Sequence, residues 1–284
     1  MATSAEPKCK KHEKVVEVHP DQLLDADAME QRHVKEVYEA IAPHFSATRY
    51  KAWPRVRYFI ESLPKYAAVA DVGCGNGKYF TCFQNFREPL HGDTVSDVDG
   101  ADSAVAAHRF VVGVDTSEGL LRLAQKQQRQ REMDRAQPSS SASLDGDCGC
   151  TDLLRADGRR TPLRDGIFDA AISIAVVHHF VTRTRRLEAV RELLRLVRHG
   201  GRVLISVWAK DHPEKRARDA ASDVFIRWEM HEAHDPDRHI HHRYYHLFSE
   251  GELEQLVKEA GGIVRESYFD KENWCVIMQK EEKQ

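Results

Sequence analysis

The stretch Ala70-Asp71-Val72-Gly73-Cys74-Gly75-Asn76-Gly77-Lys78-Tyr79 sets three glycines just behind an apolar run. A turn of this composition lets the backbone approach a nucleotide. The spacing is Gly-x-Gly-x-Gly, so the last glycine of a dinucleotide-binding turn would fall on Lys78. A lysine side chain there obstructs close packing of helix on strand. Asp71 stands two residues before the first glycine. A carboxylate at that place repels a pyrophosphate and attracts a zwitterionic or cationic ligand.

Elements in alternation must position this turn. After Pro64, short apolar runs (YAAVADVG, RFVVGVD, DLLRAD, FDAAISIAVV, RVLISVWA, GIVRESYF and NWCVIMQ) alternate with helical patterns. That alternation predicts an α/β fold with a mostly parallel sheet covered on both faces. Only Asp270-Lys271-Glu272 joins the last two runs, a hairpin length, so one strand runs antiparallel. Val34, Val37, Tyr38 and Ile41 form one helical stripe that ends at or near Pro43. A second helix opens at Trp53-Pro54 and turns Val56, Phe59, Ile60 and Leu63 inward. A third, over Arg185–His199, carries Leu187, Val190, Leu194 and Val197 and stops at Gly200-Gly201. Ser249 and Glu252 form a capping box ahead of Leu253, Leu256 and Val257. Residues 1–26 read as a flexible tail and 27–280 as one domain. Segments near 88–108 and 136–150 are too poor in large apolar residues to order themselves and read as mobile insertions.

Asp-x-Gly-x-Gly-x-Gly resembles the first motif of Rossmann-like class I methyltransferases, whose sheet has seven strands. That resemblance implies S-adenosylmethionine, a sulfonium cation with an ammonium group, as cofactor. Asp115 then ends the second strand, where a carboxylate reaches ribose hydroxyls. Asp157 follows the third strand and is placed to meet the adenine amino group. A glycine turn alone is only a tight turn; acidic residues at three successive strand ends make it a cofactor site.

Three further stretches, VYEAIAPHFSATRYKAWP, AISIAVVHHFVTRTRRLEAVREL and YYHLFSEGELEQL followed by NWCVIMQ, together with DVGCGNGKY, closely resemble the eukaryotic tRNA wobble-uridine methyltransferases. The likeness runs from about Val34 to Gln279, apart from the two insertions and 210–242. It implies esterification of 5-carboxymethyluridine in the tRNA anticodon loop. A carboxylate of pKa about 4.3 is ionised at neutral pH and needs no general base. The site must strip water from it and align it behind a methyl group. The resemblance implicates Arg49 as the group that holds the carboxylate and His178 as a hydrogen-bond donor beside the methyl. Read singly, Arg49 is a surface arginine after a helix, and His178 with His179 caps a strand or fills the layer beneath a helix. Tyr50, Trp53 and Tyr245 are expected as walls for a splayed base, although Trp53 fits a core position equally well. Lys51, Arg55, Arg183, Arg185, Arg186, Lys215, Arg216 and Arg218 could face phosphates.

Composition sets outer limits. The chain has 284 residues, 31% of them charged, with a net charge of −3. That balance is less basic than a typical nucleic-acid binder, so tRNA affinity is expected to be modest or partner-dependent. No apolar run approaches the roughly 20 residues that span a bilayer. The N-terminal segment lacks a secretory pattern, and the six cysteines are scattered; the cytosol is expected, with the nucleus also open. The histidine-rich segment His231–His246 lacks the H-E-x-x-H zinc motif and reads as a surface loop with no metal. DLLRAD should lie at the sheet edge. The family works with a small zinc-binding activator subunit that pairs with such an edge, and Leu153 and Leu154 are expected near that contact. Two other readings remain open: a small-molecule methyltransferase of the quinone-biosynthesis kind, and a non-catalytic S-adenosylmethionine-binding scaffold.

Overall fold

A computed structural model describes residues 15–18, 23, 25–49, 51–86, 105–106, 109–136, 151–210 and 221–282. Tyr50, Lys215, Arg216, Arg218 and most of the expected tail and insertions lie outside the described residues. The chain begins with β1 (Val15–Glu17), α1 (Ala26–Glu30), a π-helical turn (Gln31–Lys35), α2 (Glu36–Thr48) and α3 (Pro54–Glu61). There follow β2 (Ala68–Val72), β3 (Asn85–Phe86), β4 (Val105–Ala106), β5 (Phe110–Asp115), α4 (Glu118–Ala136), β6 (Thr151–Arg155) and β7 (Phe168–Ile174). The last part holds α5 (Arg183–Leu196), β8 (Val197–Trp208), β9 (Asp223–Glu229), β10 (Ile240–His246), α6 (Glu252–Glu259), β11 (Gly262–Asp270) and β12 (Asn273–Lys280).

The main sheet has seven strands in the order β11-β12-β8-β7-β2-β5-β6. β5, β2, β7 and β8 pair in parallel, as do β5 and β6. β12 is antiparallel to both of its neighbours, and the short Asp270–Glu272 connection requires this of its pairing with β11. The strands read as continuous apolar runs because both faces are covered. Leu187, Val190, Leu193 and Leu253, from α5 and α6, pack on one face. Val56, Phe59, Ile60 and Leu121, from α3 and α4, pack on the other. The chain leaves β2 for β5 and β6, then returns to β2's other side with β7. A crevice opens at that reversal, outside the carboxyl ends of the strands.

Four expectations need correction. The first helix does not end at Pro43: α2 carries that proline inside and continues to Thr48. The ring removes one backbone bond, and burial of the neighbouring Ile41 and Ala42 holds the helix on course. α5 stops at Leu196, and Val197 already has extended backbone. Gly200 and Gly201 therefore shape an irregularity where β8 meets β7, and do not cap the helix. Within the expected tail, Val15–Glu17 pairs antiparallel with β9. The histidine-rich segment is not simply a loop: Ile240–His246 is β10, which pairs with β9 along its full length. The resulting sheet β1-β9-β10 stands beside the crevice, with Tyr244 buried against Val18, Met29 and Val181.

Candidate active site

A cavity of about 860 Å³ occupies the crevice. One half is built from the ends of β2, β5 and β6. Gly73 and Cys74 both donate backbone N–H groups to the Val114 carbonyl, at 2.7 and 3.0 Å, which ties the glycine turn to β5. Gly73 has φ +85°, and a Cβ there would stand 2.1 Å from Val176 Cγ2. Gly77 has φ +71°, and its Cβ would strike the Phe80 ring at 2.6 Å. Both positions exclude side chains on conformation and on space. Asp115 accepts the Gly75 N–H at 2.8 Å and the Ser117 N–H at 2.9 Å. It braces the turn, and each of its oxygens keeps a second lone pair for a ligand hydroxyl. Asn76 donates from Nδ2 to the Ser46 hydroxyl at 3.0 Å and to the Arg49 carbonyl at 3.4 Å, clamping the turn to the end of α2. Glu39 of α2 accepts from the Ser117 hydroxyl and the Gly119 N–H at the start of α4.

Asp71 is fully buried at the head of this turn, and its Oδ2 has no hydrogen-bond partner. Burial, and secondarily the Asp115 charge, push its pKa up to about 7, against a smaller opposing pull from Lys78. A buried carboxylate held in this way is unsatisfied until a cation arrives. Asp157 also lines the cavity but already pairs with Arg159 at 2.9 Å and stands 3.9 Å from Lys35. Burial alone would raise its pKa; the hydrogen bonds and charge of Arg159 outweigh it, and the carboxyl stays below its usual range.

The other half is aromatic and cationic. Trp53, half-buried ahead of α3, lines the cavity, as does Trp208 at the end of β8. Arg49, Lys78 and Lys271 line it as well. The Lys78 ammonium lies 4.9 Å from the Trp53 ring centre and 4.5 Å from that of Tyr79. Burial, then the neighbouring Arg49 charge, bring its pKa down to about 8, with Asp71 resisting.

The two adjacent histidines differ in placement, and the buried His178 Nε2 has no hydrogen-bond partner. His178 is fully buried and is not among the residues that line the cavity; its Nδ1 accepts the Trp208 N–H at 3.1 Å. His179 is the one on the cavity wall. It donates from Nδ1 to the Tyr244 carbonyl at 2.8 Å, which leaves Nε2 to accept from the Tyr38 hydroxyl at 2.9 Å. Tyr38 and Tyr245 hydroxyls are 3.2 Å apart, and Arg243 Nη1 donates to Tyr245 at 2.8 Å. Burial holds His178 well below the ordinary histidine range and takes His179 down to about 3, so both rings are neutral at pH 7. Tyr245 lines the cavity but is a buried member of this network, 4.5 Å from the Trp208 ring, and Trp208 beside it keeps more exposed area.

Of the residues expected from sequence, Asp71, Gly73, Gly75, Asp115, Asp157, Arg49, Trp53 and Tyr245 line one cavity, while Gly77 and His178 stand behind its wall; Tyr38, His179, Trp208, Arg243 and Lys271 line it and were not expected there. A signal existed for Arg243 and Tyr245: they stand two apart on β10 and share one face.

Comparison with known proteins agrees with this geometry. A profile described as "Methyltransferase domain" matches residues 97–205. A tRNA (carboxymethyluridine(34)-5-O)-methyltransferase of Schizosaccharomyces pombe is 34% identical over 268 residues, covering 88% of this chain and 97% of the relative. The enzyme named alkbh8 of Xenopus tropicalis, which carries the same activity name, is 31% identical; the match covers 90% of this chain but 42% of that longer protein. Among solved structures, a chain from the complex between the Haloferax volcanii Trm112 methyltransferase activator and a methyltransferase is similar, with TM-score 0.52 and 13% identity. It covers 88% of this chain and 99% of its own, and at that identity it shows the fold alone. With a full-length relative above 30% identity and the donor-side turn in place, the chain belongs to the tRNA (carboxymethyluridine(34)-5-O)-methyltransferase family.

Proposed function

We propose that this chain methylates the carboxylate of 5-carboxymethyluridine at the tRNA wobble position, with S-adenosylmethionine as donor. The observation that carries the reading is the division of charge within one cavity: a buried, unsatisfied carboxylate at Asp71 on one side, and Arg49 with Lys78 and Lys271 on the other. A cationic donor fits the first side and an anionic acceptor the second. When bound, the donor supplies an electrophilic methyl carbon on a sulfonium. Asp71 offers charge to its ammonium group, and the second lone pairs of Asp115 suit its ribose. Arg49 pairs the acceptor carboxylate in a planar fork and sets its direction. One carboxylate oxygen bonds to the methyl carbon as the carbon–sulfur bond breaks, and the electron pair leaves on sulfur. No proton moves, which suits a wall whose one histidine, His179, is neutral and has its lone pair committed to the Tyr38 hydroxyl. Trp53 and Trp208 give a splayed base its stacking surfaces.

The partner reading rests on β6, which is the edge strand of the sheet. Leu153 and Leu154 are partly buried against the chain's own two cores, so the open backbone of β6 is the feature on offer to a zinc-binding activator subunit. The test is incubation of the full chain, alone and with the activator, on tRNA carrying unesterified 5-carboxymethyluridine, followed by digestion and nucleoside mass spectrometry. A methyl ester at the wobble uridine, increased by the activator, is the expected result. Donor binding with no ester formed under either condition overturns the reading.

A further inference from the structure

Three cations meet at one wall of the cavity, and among the described residues none is in an ion pair, although Lys78 feels the Asp71 charge. Arg49 closes α2, Lys78 follows the glycine turn, and Lys271 sits in the β11–β12 turn. Among the described residues, none of these three side chains has a hydrogen bond or an ion pair; Lys78 has only the Trp53 and Tyr79 rings. Gathering like charges in a half-buried place raises the energy of the empty site. The depressed Lys78 pKa is the local sign of that cost: burial, then Arg49, act downward against Asp71 and Cys82, and Lys271 adds a smaller push downward. An anion that enters relieves it.

The two inner cations differ in what they can do. Arg49 is exposed and carries a planar fork. Lys78 is held between two rings as a compact point charge, and Trp53 is itself fixed by Pro54 at the first turn of α3. A fork on both carboxylate oxygens leaves each a second lone pair but draws charge from both. A point charge pairs with one oxygen and leaves the other open.

We propose that Lys78 is the specificity determinant for a charged acceptor: caged by Trp53 and Tyr79, its ammonium is the counter-charge of one carboxylate oxygen while Arg49 sets the group's orientation. This rests on the acceptor reading given above. The recognised chemistry is a carboxylate, and two are available: the acceptor's, to which the proposal assigns Lys78, and that of the donor's amino-acid end.

Two variants and two RNAs separate them. Lys78→Met removes the charge and keeps a stem of similar length; Lys78→Arg restores charge. The probes are anticodon stem-loops carrying 5-carboxymethyluridine or its neutral amide, 5-carbamoylmethyluridine, the latter as a competitive binder. Wild-type protein should bind the acid about tenfold more tightly than the amide, a preference that K78M loses. In K78M, kcat/KM for the acid should fall roughly 30- to 100-fold, K78R should recover most of it, and calorimetric affinity for S-adenosylhomocysteine should stay within about threefold. A tenfold loss of S-adenosylhomocysteine affinity with the acid preference intact assigns the lysine to the donor's carboxylate and overturns the proposal. Equal loss on acid and amide makes it a phosphate contact and overturns it too. Wild-type protein that binds both RNAs alike overturns it without any variant. Wild-type protein that esterifies neither RNA sinks the acceptor reading instead.

Discussion

The two halves of the cavity solve opposite problems. On the β2-β5-β6 side the functional groups are acidic, buried and fixed by the backbone: Asp115 holds Gly75 and Ser117, and Val114 holds Gly73 and Cys74. On the β7-β8-β12 side they are cationic or aromatic, partly exposed, and drawn from α2, the glycine turn, the α3 start and the β11–β12 turn. The first half sits at the ends of three strands of one parallel sheet, so strand pairing sets its geometry. The second is assembled from loops and helix ends separated by more than two hundred residues, from Arg49 to Lys271, so its geometry exists only after the whole domain has folded. A donor of constant structure suits the former. An acceptor presented on a large RNA suits the latter, where binding groups sit at the rim.

The sharpest way to break this comparison is to remove the charge on the acidic side. Asp71→Ala should weaken S-adenosylhomocysteine binding by about 100- to 1,000-fold, because it deletes the buried counter-charge of the ligand's ammonium. Asp71→Asn should behave similarly in calorimetry yet melt at a higher temperature than wild type at pH 8. The sign follows from linkage: the folded pKa of about 7 lies above the unfolded value of 3.8, so ionising Asp71 costs stability as pH rises through that interval. A variant that binds S-adenosylhomocysteine normally would show that charge does not select the donor.

On the basic side, Arg49→Ala should lower kcat/KM for RNA by roughly 100-fold while S-adenosylhomocysteine affinity stays within about threefold. Arg49→Lys should recover little, since an ammonium cannot reproduce the fork. Steady-state kinetics with calorimetry on the same preparation check both. If donor affinity falls as far as turnover, Arg49 belongs to the acidic half's ligand and the division fails.

Legibility followed the same division. The donor side was readable because its signals are local: glycines, a preceding carboxylate, and acidic residues ending successive apolar runs. The seven strands and the edge position of β6 were readable for the same reason, since buried parallel strands leave unbroken apolar runs. His178 and His179 were not separable. β7 ends at Ile174, Ala175 has φ +62°, and Val177–His179 is a 3-10 turn, so strand alternation no longer tells which ring faces the ligand. The β1-β9-β10 sheet was invisible because its strands are short, polar on one face and separated by more than two hundred residues in one pairing. Pro43 misled because tertiary burial overrode a local stop signal. Lys78 was noticed only as an obstacle to a dinucleotide; its place between two rings depends on where α3 lands.

The last prediction is the smallest and sharpens the comparison by moving both halves at once. Asp71 faces Asp115 and Lys78; Lys78 faces Arg49, Asp71, Cys82 and Lys271. In the free protein Asp71 loses its proton near pH 7 and Lys78 loses its own near pH 8. Below pH 7 the donor meets a neutral Asp71, so kcat/KM for the donor should fall as pH drops, approaching about tenfold per unit. Above pH 8 the acceptor meets a neutral Lys78, so kcat/KM for RNA at saturating donor should fall as pH rises, to a limit of about 30- to 100-fold set by the remaining Arg49 charge. The two limbs belong to different substrates and should be separable by saturating one at a time. Bound donor lowers the Asp71 pKa and bound carboxylate raises that of Lys78, so the kcat profile should be broader than either kcat/KM profile. In K78M the alkaline limb should disappear, while the acid limb persists and moves to slightly higher pH because Lys78 no longer pulls on Asp71. An alkaline limb that survives in K78M would assign it to another group and leave Lys78 without a part in the acceptor half.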